Sequence, residues 1–282
     1  MLGHKLVQVW KDRFDVWTTL RDEIKTYRKF EIFDADRTFD NIKAKNQEKI
    51  RKIIKELKPD VVINAIGIIK QLPKANDIIE TLKINSIFPH QLSEIVNEVK
   101  ARLICISTDC VFNGEKGNYN EEDVSDAYDL YGKSKNLGEV IGDNTLTIRT
   151  SIIGREIKTT HSLVEWFLSN KGKKIKGYKN AVFSGFPVII LAEILADLII
   201  NQKDLNGLYH ISSEPINKFD LLELLKKEYQ IPIEIKPSFE VKIDRSLDST
   251  KFRNATGFKP LKWSEMVKIM AKDPTPYDEW RK

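Results

Sequence analysis

Only two cysteines, Cys105 and Cys110, occur in the 282 residues, too few for a disulfide framework or a thiolate zinc site. Both fall in or beside an apolar, strand-like run, so buried free thiols are expected, and a reducing, cytoplasmic setting fits them. No stretch reaches the ~18–20 uninterrupted apolar residues of a membrane-spanning helix; the longest candidate, 188–200, is broken by Glu193 and Asp197. The opening Met1-Leu-Gly-His-Lys lacks the apolar run of a secretory signal. One-sided charge is absent too, since 46 Lys+Arg face 41 Asp+Glu for a formal net charge of +5. The densest basic run, Lys171, Lys173, Lys174, Lys176 and Lys179, reads as a solvated surface loop without the interleaved aromatic pattern of a single-strand nucleic-acid surface. Neither nucleic acid nor a membrane is expected as a partner.

With 41% hydrophobic and 31% charged residues, the composition is that of a globular chain and excludes a disordered one. The length allows one large α/β domain or one domain with a smaller lobe. Apolar runs alternate with helix-period segments through the first half. Residues 14–20 and 30–33 read as short strands, and 46–57 as a helix with Ile50, Ile53, Ile54 and Leu57 on one face, closed by Pro59. Strands follow at 61–66, 103–107 and 146–148, with helices at 78–99, broken or kinked near Pro89, and at 128–141. Continuous apolar strands separated by helices predict a Rossmann-like, doubly wound parallel sheet covered on both faces. Its ligand belongs at the carboxyl ends of the strands. The expected division is a cofactor-binding domain over 1–150 and a smaller lobe over 151–282. In that lobe, helices at 163–169, 189–200, 219–229 and 263–271 and one strand at 208–211 precede a loose polar tail from Asp273.

Tyr131-Gly-Lys-Ser-Lys135 places a phenol and an ammonium four residues apart, on one face of a helix. The spacing alone is a common coincidence, and a surface pair on an amphipathic helix would show it too. Its weight comes from Ser107-Thr108-Asp109, which ends a strand about two dozen residues earlier, where the sheet should open onto a ligand. A hydroxyl, a phenol and a lysine so arranged suit carbonyl reduction. The carbonyl oxygen needs a proton and a hydrogen-bond donor as hydride arrives from a nicotinamide. A free tyrosine titrates near pH 10, so a nearby cation must favour its ionised form, and Lys135 is placed to do so.

Together with Asn64-Ala-Ile-Gly67, Ile148-Arg-Thr-Ser151, Gly207-Leu-Tyr-His-Ile-Ser-Ser213 and Leu247-Asp-Ser-Thr-Lys251, these motifs resemble the extended short-chain dehydrogenase/reductases, most of all the dTDP-4-dehydrorhamnose reductase group. The likeness runs to about residue 270. It implies a cofactor domain with a carboxyl-terminal nucleotide-sugar lobe and a cytoplasmic enzyme of activated-sugar synthesis for cell-surface polysaccharide. The reaction implied is NADPH-dependent reduction of the 4-keto group of a nucleotide-linked 6-deoxyhexose. Family roles make Tyr131 the proton donor, Lys135 the ribose ligand and tyrosine activator, and Thr108 the donor to the substrate oxygen. Asn64, Ala65 and Gly67 would line the cofactor path, and Asp34 would meet the adenine amine unless it merely forms a turn. Arg21, at the end of the second expected strand, would favour the 2′-phosphate of NADPH over NADH, unless it simply faces solvent. Asp109, Cys110, Arg149 and Asn180 would border the substrate, as would His161 and Ser184; a buried Arg149 pairing a carboxylate is the alternative for that residue.

Two departures shape the expectation. The family's Gly-x-x-Gly-x-x-Gly loop follows a first strand and cradles the pyrophosphate at a helix N-terminus, yet Met1-Leu-Gly3 matches only its end. The preferred expectation is a start at an internal methionine of a longer protein. The alternative is a chain without that strand, in which Gly3 and the amides of Leu2 to His4 form part of the cradle. Second, Cys110 stands where related dehydratases carry a glutamate, which argues against dehydration. A UDP-N-acetyl-4-keto-6-deoxyhexose substrate, a non-catalytic NADP-binding regulatory module and an epimerase stay open as alternatives, as do a homodimer and magnesium dependence.

Overall fold

The structure is a computed structural model that describes residues 1–70 and 73–281. Helix α1 (Leu2–Trp10) carries Leu2, Leu6 and Trp10 at one-turn spacing on its buried face. Strand β1 (Thr18–Thr19) and strand β2 (Thr38–Phe39) form a small parallel pair of their own. Between them, 24–30 is a 3-10 helix ending at Glu31 in the left-handed region. The strand expected at 30–33 is therefore absent; only Phe30 of that run is buried, so too little apolar surface faces a sheet to hold a strand. Asp34 accepts from the amide of Asp36 and starts a short turn.

Helix α2 (Gln47–Leu57), capped by Asn46, leads to β3 (Val61–Asn64). The helix expected at 78–99 is built in three pieces: α3 (Ile78–Leu82), a π-turn at Lys83–Ile87, and α4 (Phe88–Asn97). The wider turn precedes Pro89, whose missing N–H cannot join the regular ladder, and the helix passes through without breaking. Strand β4 (Arg102–Ile106), helix α5 (Leu130–Leu137) and β5 (Thr145–Arg149) follow. Beyond them come β6 (Ile152–Ile153), α6 (Leu163–Ser169), β7 (Lys174–Phe183), β8 (Phe186–Pro187), α7 (Val188–Asn201) and β9 (Gly207–His210). The chain closes with β10 (Ile216–Asn217), α8 (Lys218–Glu228), β11 (Glu234–Asp244), α9 (Thr250–Thr256) and α10 (Trp263–Ala271).

The main sheet is parallel, in the order β3-β4-β5-β9. Along β4 successive residues serve opposite faces: Ile104 joins the core with α1 and α7, while Leu103 and Cys105 join the one with α2 and α4. The sheet is thus covered on both sides, which is why β5 reads as an unbroken buried run. Strand β9 completes this sheet, so the chain after residue 150 returns to the main body before finishing the lobe.

In the lobe, β7 is flanked by β10, antiparallel, and β11, parallel. Of the basic run expected as a loop, Lys171 and Lys173 lie in the turn before β7, while Lys174, Lys176 and Lys179 are on the strand itself. Lys174 and Lys176 point to solvent and pair across the ladder with Glu234 (2.9 Å) and Glu240 (2.7 Å), while Ile175 and Gly177 are buried between them. The alternation was present in the sequence, but a single apolar side chain among lysines hid its period of two. The tail expected to be loose is docked instead. Tyr277 is buried, its hydroxyl meets His4 Nε2 at 2.8 Å, and Lys5 pairs with Asp273 at 2.5 Å. Arg281 pairs with buried Glu165 at 2.5 Å, and Trp280 packs edge-on against Phe30. Lys282 lies outside the described residues.

Candidate active site

Thr108 ends the segment after β4, and its hydroxyl caps a short turn by accepting from the Cys110 amide (3.1 Å) while donating to Asp109 Oδ1 (3.1 Å). Helix α5 is pressed against this turn. A Cβ added at Gly132 would lie 2.2 Å from the Cys110 carbonyl oxygen and 2.4 Å from the Ala127 Cβ, so only glycine lets the helix approach. At the other end a Cβ on Gly138 would lie 1.8 Å from the Asn85 carbonyl oxygen. The two glycines wedge α5 between the strand end and the π-turn, bringing Tyr131 to Thr108. Asp129 caps α5 through the Gly132 amide (2.8 Å) and pairs with Lys70 (2.6 Å), whose ammonium lies 5.5 Å from the Tyr131 ring centroid.

Burial holds the Tyr131 phenol above its ordinary range, with the charges of Asp109 and Asp129 adding to the shift and the Thr108 hydroxyl opposing it. Lys135 lies on the same helix, but its ammonium donates to the Ile106 carbonyl at 2.7 Å and burial lowers its pKa. The expected lowering of the phenol's pKa by Lys135 is therefore corrected: that ammonium is turned to the Ile106 carbonyl, and burial keeps the phenol protonated. Asp109 is buried, and desolvation raises its carboxyl although Arg245, Thr108 and Lys218 pull it down. Burial pushes the Cys110 thiol up to about 12, which leaves it unreactive.

At the end of β3, Asn64 is buried with Oδ1 accepting from the Ile66 amide (3.2 Å), and Ala65, Ile66 and Gly67 are exposed. A Cβ added at Gly67 would meet only Asn85 Oδ1, at 3.5 Å, and one at Gly3 would meet nothing within 4 Å. Packing does not require these glycines. Open space over both leaves room for a dinucleotide lying along the strand ends. The Leu2 side chain is buried in the core, which leaves that residue only its backbone to offer a ligand. Arg21 is exposed beside Asp22 (3.6 Å), and Asp34 is occupied in its own turn.

Arg149 is corrected as a substrate contact. Its guanidinium is buried, donating from Nε and Nη2 to the two Glu139 carboxylate oxygens (2.8 and 2.7 Å) and from Nη2 to Ser125 (3.0 Å). Glu139 also accepts from Ser107 at 2.6 Å, so this pair ties the end of β4 to the segment after α5. Asn180 is exposed on β7, and His161 is exposed near α6, held only by its amide to Glu156. Ser184 is buried, accepting from the Leu247 amide (2.8 Å). Four site residues escaped the sequence reading. Asn85 holds the loop after β3 through the Ile68 amide and carbonyl and reaches Ser134 (3.1 Å). Lys218 and Arg245 come from the lobe, and nothing in their local sequence signals that tertiary placement. Glu139 lies two residues past the end of α5, and nothing in its local sequence signals its buried pairing with Arg149. Among the described residues no group of three or more His, Cys, Asp or Glu could hold a metal ion.

Comparison with known proteins agrees with this architecture. A dTDP-4-dehydrorhamnose reductase of Aggregatibacter actinomycetemcomitans is 26% identical over 270 residues, covering 85% of this chain and 89% of that one. Methionine adenosyltransferase 2 subunit beta of Xenopus laevis is 23% identical over 215 residues, covering 69% and 62%. Among solved structures, a hypothetical dTDP-4-dehydrorhamnose reductase from Sulfolobus tokodaii superimposes with a TM-score of 0.76 at 26% identity, covering 93% of this chain and 94% of that one. A Bacillus anthracis dTDP-4-dehydrorhamnose reductase in complex with NADP shares the fold at 18% identity, with a TM-score of 0.74 and coverage of 91% and 99%. The profile of the family described as the RmlD substrate binding domain matches residues 3–275, and the chain belongs to that family.

Proposed function

We propose that this protein is a nicotinamide-dependent reductase of a nucleotide-linked keto sugar, reducing the 4-keto group of a 6-deoxyhexose with NADPH. The observation that carries this reading is the Gly132 contact that seats the helix bearing Tyr131 on the turn that Thr108 caps, beside the exposed end of β3. The reductases named among the relatives support it. Ala65 and Gly67 would lie along the dinucleotide, with Lys135 toward its ribose, and when bound the nicotinamide supplies the hydride. Thr108 would orient the ketone oxygen by hydrogen bonding. Tyr131, protonated at neutral pH because burial disfavours phenolate, would give its proton as negative charge develops on that oxygen. Asp109 adds no second acid to the reacting carbons, since its carboxyl faces the Thr108 hydroxyl and the lobe.

The test mixes purified protein, NADPH and dTDP-4-keto-6-deoxy-L-mannose or its UDP-N-acetylated 4-keto analogue, and follows NADPH absorbance. Stoichiometric loss with alcohol formation supports the reading; NADPH that binds but is not consumed with either sugar overturns it. That second outcome would fit a regulatory, NADP-binding module, which the likeness to methionine adenosyltransferase 2 subunit beta favours.

A further inference from the structure

The three-stranded sheet of the lobe ends at the catalytic turn, and it delivers two cations there. Asn217 of β10 and Asp244 of β11 both register with Val182 of β7. The next residue along each outer strand is a base, Lys218 or Arg245. Arg245 is fixed from its Nε to the Phe112 carbonyl (2.8 Å) and from its Nη2 to the Asn113 carbonyl (3.3 Å), with Nη1 4.0 Å from the Cys110 sulfur. Lys218 opens α8, and its ammonium sits 3.6 Å from the centroid of the Phe183 ring. Because both bases follow residues registered with Val182, the ammonium of Lys218 stands across β7 from Arg245, which itself reaches the Cys110 turn. Neighbouring cations of the lobe are neutralised, Lys179 by Asp220 (2.8 Å) and Arg253 by Glu214 (3.0 Å). Among the described residues neither Lys218 nor Arg245 has a carboxylate within ion-pair distance. Lys70, beside the Tyr131 ring, is already paired with Asp129.

From this juxtaposition we infer that Lys218, backed by Arg245, is the residue that selects an anionic substrate, binding the phosphate oxygens that join the nucleotide to the sugar. An ammonium held on an aromatic face loses little freedom on binding and is partly stripped of water. Arg245, tied to two carbonyls, supplies charge from behind without being able to swing toward Asp109. Asp109, shared between the two cations and drawn to the Thr108 hydroxyl, is too deeply buried to reach out and quench them. The chemistry recognised is a diphosphate, whichever base it carries. The inference rests on the keto-sugar reading for its substrate class, but it is tested by binding alone.

Full-length protein is titrated calorimetrically with dTDP, UDP, thymidine and uridine, in wild type and in Lys218→Met and Lys218→Arg. Wild type should bind at least one of the two diphosphates at least tenfold more tightly than its nucleoside, with an affinity that falls as salt is raised. Lys218→Met should lose about tenfold or more of that diphosphate affinity and most of its salt dependence, while nucleoside and NADPH affinities stay within twofold. Lys218→Arg should recover most of the loss. Preference for dTDP or for UDP identifies the base and supports the inference either way. Diphosphate affinity unchanged in Lys218→Met, or no advantage of diphosphate over nucleoside in wild type, overturns it. Failure of the NADPH-consumption assay with intact diphosphate binding would remove the reductase and leave this site standing.

Discussion

Burial keeps the Tyr131 phenol protonated at neutral pH, the state a donor must occupy before it can give a proton to a developing alkoxide. Replacement by phenylalanine removes one oxygen and leaves the ring beside Lys70 and the helix packing in place. Turnover of Tyr131→Phe should drop by about 10²–10⁴-fold with unchanged circular dichroism and NADPH affinity, and full activity in that variant would show that another group supplies the proton. Glu139 acts at one remove. Its carboxylate satisfies Arg149 and Ser107 where water does not reach. In Glu139→Gln the buried guanidinium keeps one acceptor and loses its counter-charge. Breaking a buried pair in this way costs about 3–5 kcal/mol, so chemical denaturation should show a loss of that order, whereas a loss under 1 kcal/mol would mean that Arg149 finds another partner.

At the scale of elements, helix α5 decides whether those residues meet. The four-residue spacing of Tyr131 and Lys135 and the strand end at Thr108 were legible because they depend on local periodicity alone. That Gly132 touches the Cys110 carbonyl was not, since the contact joins segments 22 positions apart in sequence and glycine has no side chain to signal it. Gly132→Ala must push α5 outward or displace the Cys110 turn. Either shift moves the phenol from Thr108, and a misplacement of about 1 Å can cost about 10²-fold in rate. The expected result is a folded protein with intact helical signal, turnover reduced at least tenfold and NADPH affinity little changed. Wild-type turnover would mean that the close contact relaxes without consequence for the site. The same limit explains the lobe. Helices α6, α8 and α10 announced themselves by apolar spacing, but β11 alternates weakly, with Ile235 and Ser238 its only buried residues. Its ladder to β7 is a long-range pairing that no local pattern contains.

For the molecule as a whole, closure comes from the first helix and the last residues, although the tail was expected to be loose. His4 on α1 is buried against Tyr277, and burial together with Lys5 holds its pKa down to about 2. His210 at the end of β9 is buried between the Tyr119 carbonyl and Arg149, and its pKa falls to about 4. Both are neutral in the folded state well below the ~6.5 at which an unfolded histidine gains its proton. The unfolded chain therefore binds more protons than the native one below pH 6.5, and stability must fall as pH falls. The loss begins at about 6.5 and continues toward the folded values, each histidine contributing up to about 1.4 kcal/mol per pH unit. Across the window from pH 6.5 to 5 the two histidines together should remove about 3 kcal/mol, an effect partly offset by Asp109 and Glu121, whose carboxyls burial raises and which take up protons in the folded state. Thermal melts across it should show Tm dropping by several degrees. Replacing His4 by Gln, which can still meet the Tyr277 hydroxyl but cannot titrate, should roughly halve the slope. A Tm that stays level from pH 6.5 to 5 would mean that one or both imidazoles take up a proton without unfolding, and that the tail does not seal α1 from water.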